Sequence, residues 1–400
     1  MIIKKIPISR IKEAAYNPRL DLKPGDPEYE KIKRSIEEFD LVEPLVWNET
    51  TGNLVGGHQR LKVLKERGDL EVDVSIVNIS DLNKEKALNV TLNKIQGDWD
   101  NDKLKLILNE IRIDFDLINL GFSADELFKD FKIGAEGLTE DDEAPELQKE
   151  TKIKTGDIFK LGNHVLMCGN SIKFEDIKRL MENEKADIAI LDPPYGVSYF
   201  DKNKFLNQAD KGNRIQKEMA GDNQDEKDIQ KFWFKSFEIV RDNLAEINSY
   251  YVFGPQRMMI IMMMMKAKLP YRNVIIWVKN NHVLGRCDYH YRHEPLLFGW
   301  TKTHKFYGNG EFRTSVWEVD KPHKSDLHPT MKPVALMVNA LLNSSQSGQI
   351  CLDPFGGSGS TLIACEKTGR KCRMMEIEPI YCDVIIQRWE NFTGQKAVKI

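Results

Sequence analysis

The sequence predicts an α/β protein, in which a doubly wound, mostly parallel sheet carrying an inserted region is preceded by a small α+β domain. Three observations carry this. Beyond residue 150, apolar runs alternate with helical patterns, the order that βαβ units produce. The runs are apolar at consecutive positions, as expected of strands covered by helices on both faces. And 400 residues exceed one ordinary domain of about 100 to 200 residues.

In the first block, residues 1–112, apolar runs at Leu45–Trp47 and Val72–Ile79 read as strands, and periodic patterns at Tyr29–Phe39 and Gln59–Arg67 as helices. Residues 113–133 predict one or two short helices, with Ser123 ahead of Ala124, Asp125 and Glu126 in the manner of a capping box. Next, GAEGLTEDDEAPELQKE at 134–150 sets seven acids against one lysine. That composition predicts a solvated linker, so 113–150 is assigned to short helices and linker, and 151–400 to a second domain. There, strands are expected at Ala186–Leu191, Tyr250–Phe253, Val274–Val278, Ile350–Leu352 and Arg373–Ile377. The run MMIIMMMM at 258–265 predicts a buried helix, with an adaptable ligand groove as the alternative.

With 58 Lys+Arg against 61 Asp+Glu, the net charge of −3 gives no global reason to expect a nucleic-acid partner, so any such reason must be local. Hydrophobic residues at 41%, charged residues at 30% and a mean hydropathy of −0.46 fit a globular chain rather than a disordered one. No apolar run approaches the roughly 18 residues of a membrane span, and the opening MIIKKIPISR has no signal-peptide core. A cytoplasmic protein without a membrane partner is expected. The six cysteines, at 168, 287, 351, 365, 372 and 382, include no CxxC pair, which argues against a disulfide framework and a zinc ribbon; the histidines of 270–313 could offer a zinc site, but no cysteine pair supports one, so no metal is expected.

Three segments carry chemistry. LDPFGGSGSTL, Leu352 to Leu362, leads an apolar strand through a glycine-rich turn into a helix, which brings backbone amides up to a ligand. It lacks the Gly-Lys-Ser/Thr of a P-loop and the third glycine of a dinucleotide fingerprint. Glu376 follows Gly357 by 19 residues at the end of the next strand, where an acid can accept ribose hydroxyls. DPPY, Asp192 to Tyr195, makes a rigid turn after a strand, since two prolines can neither continue it nor enter a helix early. It presents the Asp192 carboxylate and the Pro193 carbonyl as two acceptors, with the Tyr195 ring as a platform for a flat group. Two acceptors on the hydrogens of an exocyclic base amine draw its lone pair out of conjugation, so that nitrogen can attack an electrophilic methyl. HPTMKP, His328 to Pro333, precedes the apolar helical run Val334 to Leu342 and alone marks only a helix start.

In this order the segments resemble the β-type amino-methyltransferases of DNA that use S-adenosylmethionine, over residues 151–400. CGNS (Cys168 to Ser171), HEPLLFGW (His293 to Trp300) and TSVWEV (Thr314 to Val319) also resemble family segments. The resemblance implies catalysis by Asp192, Pro193, Pro194 and Tyr195. It implies S-adenosylmethionine bound by Asp353, Phe355, Gly356, Gly357 and Gly359 at its amino-acid end, with Lys332 and Asp192 nearby and Glu376 on the ribose. Asn170 stands where relatives carry Asp beside the cofactor adenine, and Met374 where glycine is common. The implied partner is double-stranded DNA with its target base flipped onto Tyr195. The implied acceptor is the adenine N6 amine, with cytosine N4 as the alternative; no Pro-Cys nucleophile occurs for chemistry at cytosine carbon 5. The implied source is bacterial or phage, and a homodimer stays open. A target-recognition region is expected at about 200–325. Within it, residues 270–313 hold seven Lys+Arg against three acids, interleaved with Trp277, Tyr289, Tyr291, Trp300, Phe306 and Tyr307, a pattern suited to phosphate contact and base stacking.

In the first block, Ile8 to Arg19 and Val55 to Gly68 resemble the fold shared by ParB partition proteins and sulfiredoxin. The turn Gly56, Gly57, His58, Gln59, Arg60 would expose amides and a cation to a nucleotide or DNA phosphate. Sulfiredoxin chemistry needs a cysteine there, and the block has none. Two functions from different classes follow: an enzyme that methylates a base amine, and a ParB-like DNA-binding regulator whose methyltransferase half is inactive.

Overall fold

The computed structural model describes residues 2–94, 99–111, 117, 137–148, 150–195, 226–255, 258–280, 288–307, 313–320 and 331–400. The capping box expected at Ser123, Cys287 and the first half of HPTMKP lie outside the described residues. The chain divides into two compact units, Met1–Gly134 and Ala135–Ile400.

The first unit runs β1 (Ile3–Pro7), β2 (Lys12–Glu13), α1 (Pro27–Phe39), β3 (Leu45–Asn48), β4 (Asn53–Gly56), α2 (His58–Arg67), β5 (Glu71–Val77), α3 (Leu82–Asn93) and α4 (Asn101–Ile111). Its five strands form one sheet in the order β1-β5-β3-β4-β2. Helix α1 starts on a proline at its first turn, where the missing N–H costs nothing. Helix α2 stops at Gly68, whose φ of 89° few other residues tolerate. Ile6, Tyr29, Leu45, Trp47, Leu61 and Val74 belong to the core. Inside the unit, Glu85 is fully buried but takes hydrogen bonds from Tyr16, Asn48, Thr51 and Asn53. Burial pushes its carboxyl up, and these donors more than reverse that, leaving it below the usual carboxylate range.

The second unit contains β6 (Ile158–Leu161), β7 (His164–Cys168), α5 (Phe174–Met181), β8 (Ala186–Leu191), α6 (Glu226–Asn243), β9 (Leu244–Phe253), α7 (Met258–Lys266), β10 (Tyr271–Val278), β11 (His293–Gly299), β12 (Val316–Glu318), α8 (Val334–Ser344), β13 (Ile350–Asp353), α9 (Ser360–Thr368), β14 (Lys371–Glu376), α10 (Pro379–Thr393) and β15 (Val398–Lys399). Ten strands form one sheet in the order β12-β10-β11-β9-β8-β13-β14-β7-β6-β15. The centre, β9-β8-β13-β14-β7, is parallel throughout, and antiparallel ladders join β11 to β9 and β6 to β7. This is the doubly wound sheet that the alternating runs predict. All five strands expected in the second domain are present: Ala186–Leu191 with the expected bounds, β9 beginning six residues earlier than expected, and β10, β13 and β14 with ends moved by one to three residues.

Three expectations need correcting. The acidic stretch 134–150 is not simply solvated, because its described part packs on the second unit. Leu138 N donates to Phe392 O at 2.8 Å, Asp142 Oδ1 accepts the Val334 amide that opens α8 at 2.8 Å, and Asp141 pairs with Lys367 at 2.8 Å. Arg388, 2% exposed, donates to the Asp141 carbonyl at 2.8 Å. Second, the methionine-rich helix α7 is only half buried: Ile260 and Met264 are inside, whereas Met258, Met262 and Met265 face solvent. Its run has no polar residue to reveal which face is outward. Third, the described part of 200–325 is largely scaffold, since α6, α7 and β9 to β12 all fall in it. Among the described residues no helix is long and apolar enough to cross a membrane.

Candidate active site

The parallel centre of the sheet sends several strand ends to one place. β8 ends at Leu191, so Asp192 is the first residue past it, and β13 beside it ends in Asp353, in the register Leu352 to Ala189. On the other flank of β13, β14 ends in Glu376, and beside that β7 leads into Gly169 and Asn170. Ligands of open α/β sheets bind at such carboxyl ends.

The DPPY turn is held from both sides. Trp233 Nε1 donates to the Pro194 carbonyl at 2.9 Å. Tyr195 Oη donates to Asp192 Oδ1 at 3.1 Å, and Lys332 Nζ donates to Asp192 Oδ2 at 2.6 Å. Lys332 is buried, and its ammonium sits 5.0 Å from the Phe253 ring centroid and 5.8 Å from that of Tyr195. Glu294, on β11, lies 3.7 Å from the same ammonium and is ion-paired with buried Lys279. Lys332, expected beside the cofactor, is therefore in direct contact with the DPPY carboxylate.

The glycine-rich turn is built around two buried acids. Asp353 Oδ1 accepts the Phe355 amide at 2.9 Å, and Thr361 also donates to its side chain. Burial pushes the Asp353 carboxyl up to about 7, with the Asp192 charge adding to the rise. Glu376 Oε2 accepts the Gly357 amide at 2.8 Å and Oε1 the Glu378 amide at 2.9 Å. Burial pushes Glu376 up to about 7 against those hydrogen bonds. Gly357 and Gly359 have φ of 53° and 84°, and Gly359 begins α9. At Gly356 an added Cβ would lie 2.9 Å from Cγ of fully buried Met374, so the methionine fills the space under the turn. Phe355 packs its ring 6.0 Å from that of Phe232. Asn170 borders this group, since Gly169 N donates to the Glu376 carbonyl at 2.9 Å, but its Oδ1 already accepts the Ile172 amide at 3.1 Å.

Sequence reasoning did not single out Glu294, Lys279, Phe253 or Trp233. Glu294 was legible as the polar residue at the head of HEPLLFGW; nothing in the sequence marks the others. The basic and aromatic stretch 270–313 splits. Trp277 is buried with its Nε1 on the Val319 carbonyl, and Tyr307 is buried too. Trp300 stacks on His304 at 3.7 Å with Arg272 5.0 Å from its ring. Because Tyr271 pairs with Gly299 and Val278 with His293, that stack sits at the opposite end of β10 and β11 from Glu294. Tyr289 and Tyr291, both exposed, stay on the site's side of the strands in sequence.

In the first unit, Gly57 has φ of 92°, and a Cβ there would lie 2.6 Å from Leu45 Cδ2, so this position demands glycine. Burial drives His58 down to about 4, leaving it neutral. Gln59 Nε2 donates to the Leu20 carbonyl at 2.8 Å. Arg60 Nη1 donates to the carbonyl of Glu43 at 2.8 Å and to its carboxylate at 2.7 Å.

Residues 186–388 match the family model for DNA methylases, and residues 1–93 that for the ParB N-terminal domain. The chain is 30% identical over 133 residues to the type II methyltransferase M.Cfr9I of Citrobacter freundii, covering 30% of this chain and 44% of that protein. It is 26% identical over 259 residues to the type II methyltransferase M.HpaI of Haemophilus parainfluenzae, covering 58% of this chain and 76% of that protein. Thus it spans under half of the one relative and about three quarters of the other. Among solved structures, the M1.HpyAVI–SAM complex aligns with a TM-score of 0.41 at 22% identity, covering 56% of this chain and 98% of that one.

Proposed function

The chain belongs to the DNA methylase family, and from that premise we propose that its second unit transfers a methyl group from S-adenosylmethionine to the N6 amine of an adenine flipped out of duplex DNA. The observation that carries the reading is the placing of the Asp192–Tyr195 turn and the two buried acids Asp353 and Glu376 at the ends of neighbouring parallel strands. The cofactor would supply an electrophilic methyl. The residues present fit it: the Glu376 carboxylate accepts the backbone amides of Gly357, Ile377 and Glu378, which leaves acceptor capacity among its four lone pairs for a ribose hydroxyl. Asp353 suits an ammonium, and the open side of Gly357, which has only one atom within 4 Å of an added Cβ, leaves room for close approach. Asn170 has one lone pair left for the adenine side.

At the acceptor, Asp192 and the Pro193 carbonyl would take the two amine hydrogens and localise the nitrogen lone pair. Tyr195 would stack on the flipped base. Trp233 fixes the turn by its bond to Pro194, so these groups need not reorganise when charge develops. The exposed Tyr289 and Tyr291 would meet DNA on that side.

Adenine N6 is the first choice because DPPY in this motif order resembles the adenine enzymes; cytosine N4 needs the same acceptors and is the second reading. Mass spectrometry of nucleosides from DNA incubated with the protein separates them. N6-methyladenine is expected, N4-methylcytosine alone would reverse the ranking, and neither would favour a ParB-like regulator with an inactive second half. For the first unit, the Gly56–Arg60 turn is proposed to bind a nucleotide or DNA phosphate, with Arg60 exchanging the exposed Glu43 for it.

A further inference from the structure

We propose that Lys332 is a place-holder for the target amine, and that Glu294 is the positioning residue that receives its ammonium when the base arrives; this rests on the amine-methylation reading above. Both oxygens of Asp192 are occupied, Oδ1 by Tyr195 at 3.1 Å and Oδ2 by Lys332 at 2.6 Å. Each oxygen keeps a second lone pair, but the buried ammonium 2.6 Å from Oδ2 stands against the same carboxylate that the base amine must reach. Of the two groups on Asp192, the ammonium is the one with somewhere to go.

A buried ammonium cannot be abandoned, because an uncompensated buried charge costs several kcal/mol. Glu294 Oε2 lies 3.7 Å from Lys332 Nζ, so a shift of about 1 Å makes a charge-assisted hydrogen bond of ordinary length there. The lysine is built for that shift. Its backbone is anchored, since Ser360 Oγ donates to the Lys332 carbonyl at 2.7 Å, while its four-carbon stem stays flexible. The rings of Phe253 and Tyr195 line the ammonium and favour a cation in either position. Glu294 is in turn fixed: it pairs with Lys279, whose amide donates to the Arg292 carbonyl at 2.9 Å, and Arg292 Nε returns a bond to the Lys279 carbonyl at 2.8 Å. The resting pair thus keeps Asp192 oriented between turnovers, and the base displaces Lys332 onto Glu294.

The test is a double-mutant cycle on the full chain with Glu294→Gln, Lys332→Met and the double variant. Single-turnover methyl transfer is followed from radiolabelled S-adenosylmethionine to long unmethylated duplex DNA made by amplification, with cofactor affinity measured by calorimetry. Glu294→Gln should slow transfer about tenfold while cofactor affinity stays within about twofold. In the Lys332→Met background the same change should have no further effect, because Glu294 acts only through the ammonium. A double variant slower again by the full factor, or Glu294→Gln at the wild-type rate, overturns the exchange. Glu294→Asp, which keeps a charge opposite Lys279 but draws its oxygen away from Lys332, runs the same cycle if Glu294→Gln does not fold. A wild type inactive on DNA overturns the methylation reading itself, whereas an active wild type with additive variants overturns only the exchange.

Discussion

Ligand affinity at the glycine-rich turn should rise as pH climbs from 6 to 8. Burial raises both Glu376 and Asp353 to about 7, and each accepts from a ribose or an ammonium much more strongly when ionised. A carboxyl titrating near 7 is about one-tenth ionised at pH 6 and about nine-tenths at pH 8, so a ligand that needs it charged binds about ninefold tighter at the higher pH. 5′-Methylthioadenosine has the ribose but no amino-acid end and should show this single-group slope. S-Adenosylhomocysteine engages both acids and should gain about thirtyfold between pH 6 and 7, below the titration of its own amine near 8. The sign for stability is opposite. A carboxyl whose folded pKa is raised binds its proton more tightly in the fold than in the unfolded chain. Its contribution therefore falls as pH rises from about 4.5 to about 7, and the ligand-free midpoint should drop over the same interval. Calorimetry across this pH series is the assay, with Glu376→Gln expected to flatten the methylthioadenosine curve. Affinity for methylthioadenosine that is level, or that falls with pH, would refute the reasoning.

Asp192→Ala should cut turnover at least about 100-fold, near 2.7 kcal/mol, with cofactor affinity retained, since it removes an amine acceptor; a variant keeping most of its rate would place the chemistry elsewhere. Arg60→Ala should weaken binding of a nucleoside triphosphate to the first unit in an equilibrium titration, without moving the melting midpoint by more than about 4 °C, because its pair with the exposed Glu43 contributes under about 1 kcal/mol. Residues 135–400 expressed alone should melt about 10 °C above residues 151–400, because the shorter piece lacks Asp141 and Asp142 and leaves buried Arg388 and the start of α8 uncompensated by about 3 kcal/mol. Equal midpoints in differential scanning calorimetry would remove that role from the acidic stretch.

The sheet was legible because its strands are buried on both faces, so Ala186–Leu191 and Ile350–Leu352 are apolar at every position and cannot be mistaken for surface. The motif ends were legible for a related reason: Pro-Pro and Gly-Gly are conformational stops, and their place at a strand end follows from the chain alone. The partners of those ends were not. Lys332 meets Asp192 across 140 residues, and Trp233 meets Pro194 across 39. Such contacts depend on strand order, and strand order here places β11 between β9 and β10. That crossing brings Glu294 to the site while carrying Trp300, Phe306 and Tyr307 to the far end. A count of basic and aromatic residues along 270–313 therefore mixed two ends of one hairpin pair.

The acidic stretch shows the same limit from the side of charge. Seven acids in 17 residues describe a solvated segment only if nothing buried needs them. Arg388 is 2% exposed, and burial drags its guanidinium down to about 10, against the pull of Asp142 and Asp141. Its Nη1 is spent on the Ser358 carbonyl at 2.9 Å, just ahead of the helix that follows the glycine-rich turn. Its Nη2 donates to the Asp141 carbonyl with the Asp142 carboxylate 4.0 Å away, and Asp142 also caps the amide at the start of α8, one residue past Pro333 and two past Lys332. Burial raises Asp142 in turn, which is the cost of placing a carboxylate where α8 needs an acceptor. The described part of the acidic stretch, within the second unit, thus braces both the backbone that carries Lys332 and the turn that carries Ser358 and Ser360. A boundary drawn by composition alone cuts through that brace, and the division of the chain at Gly134 leaves it whole.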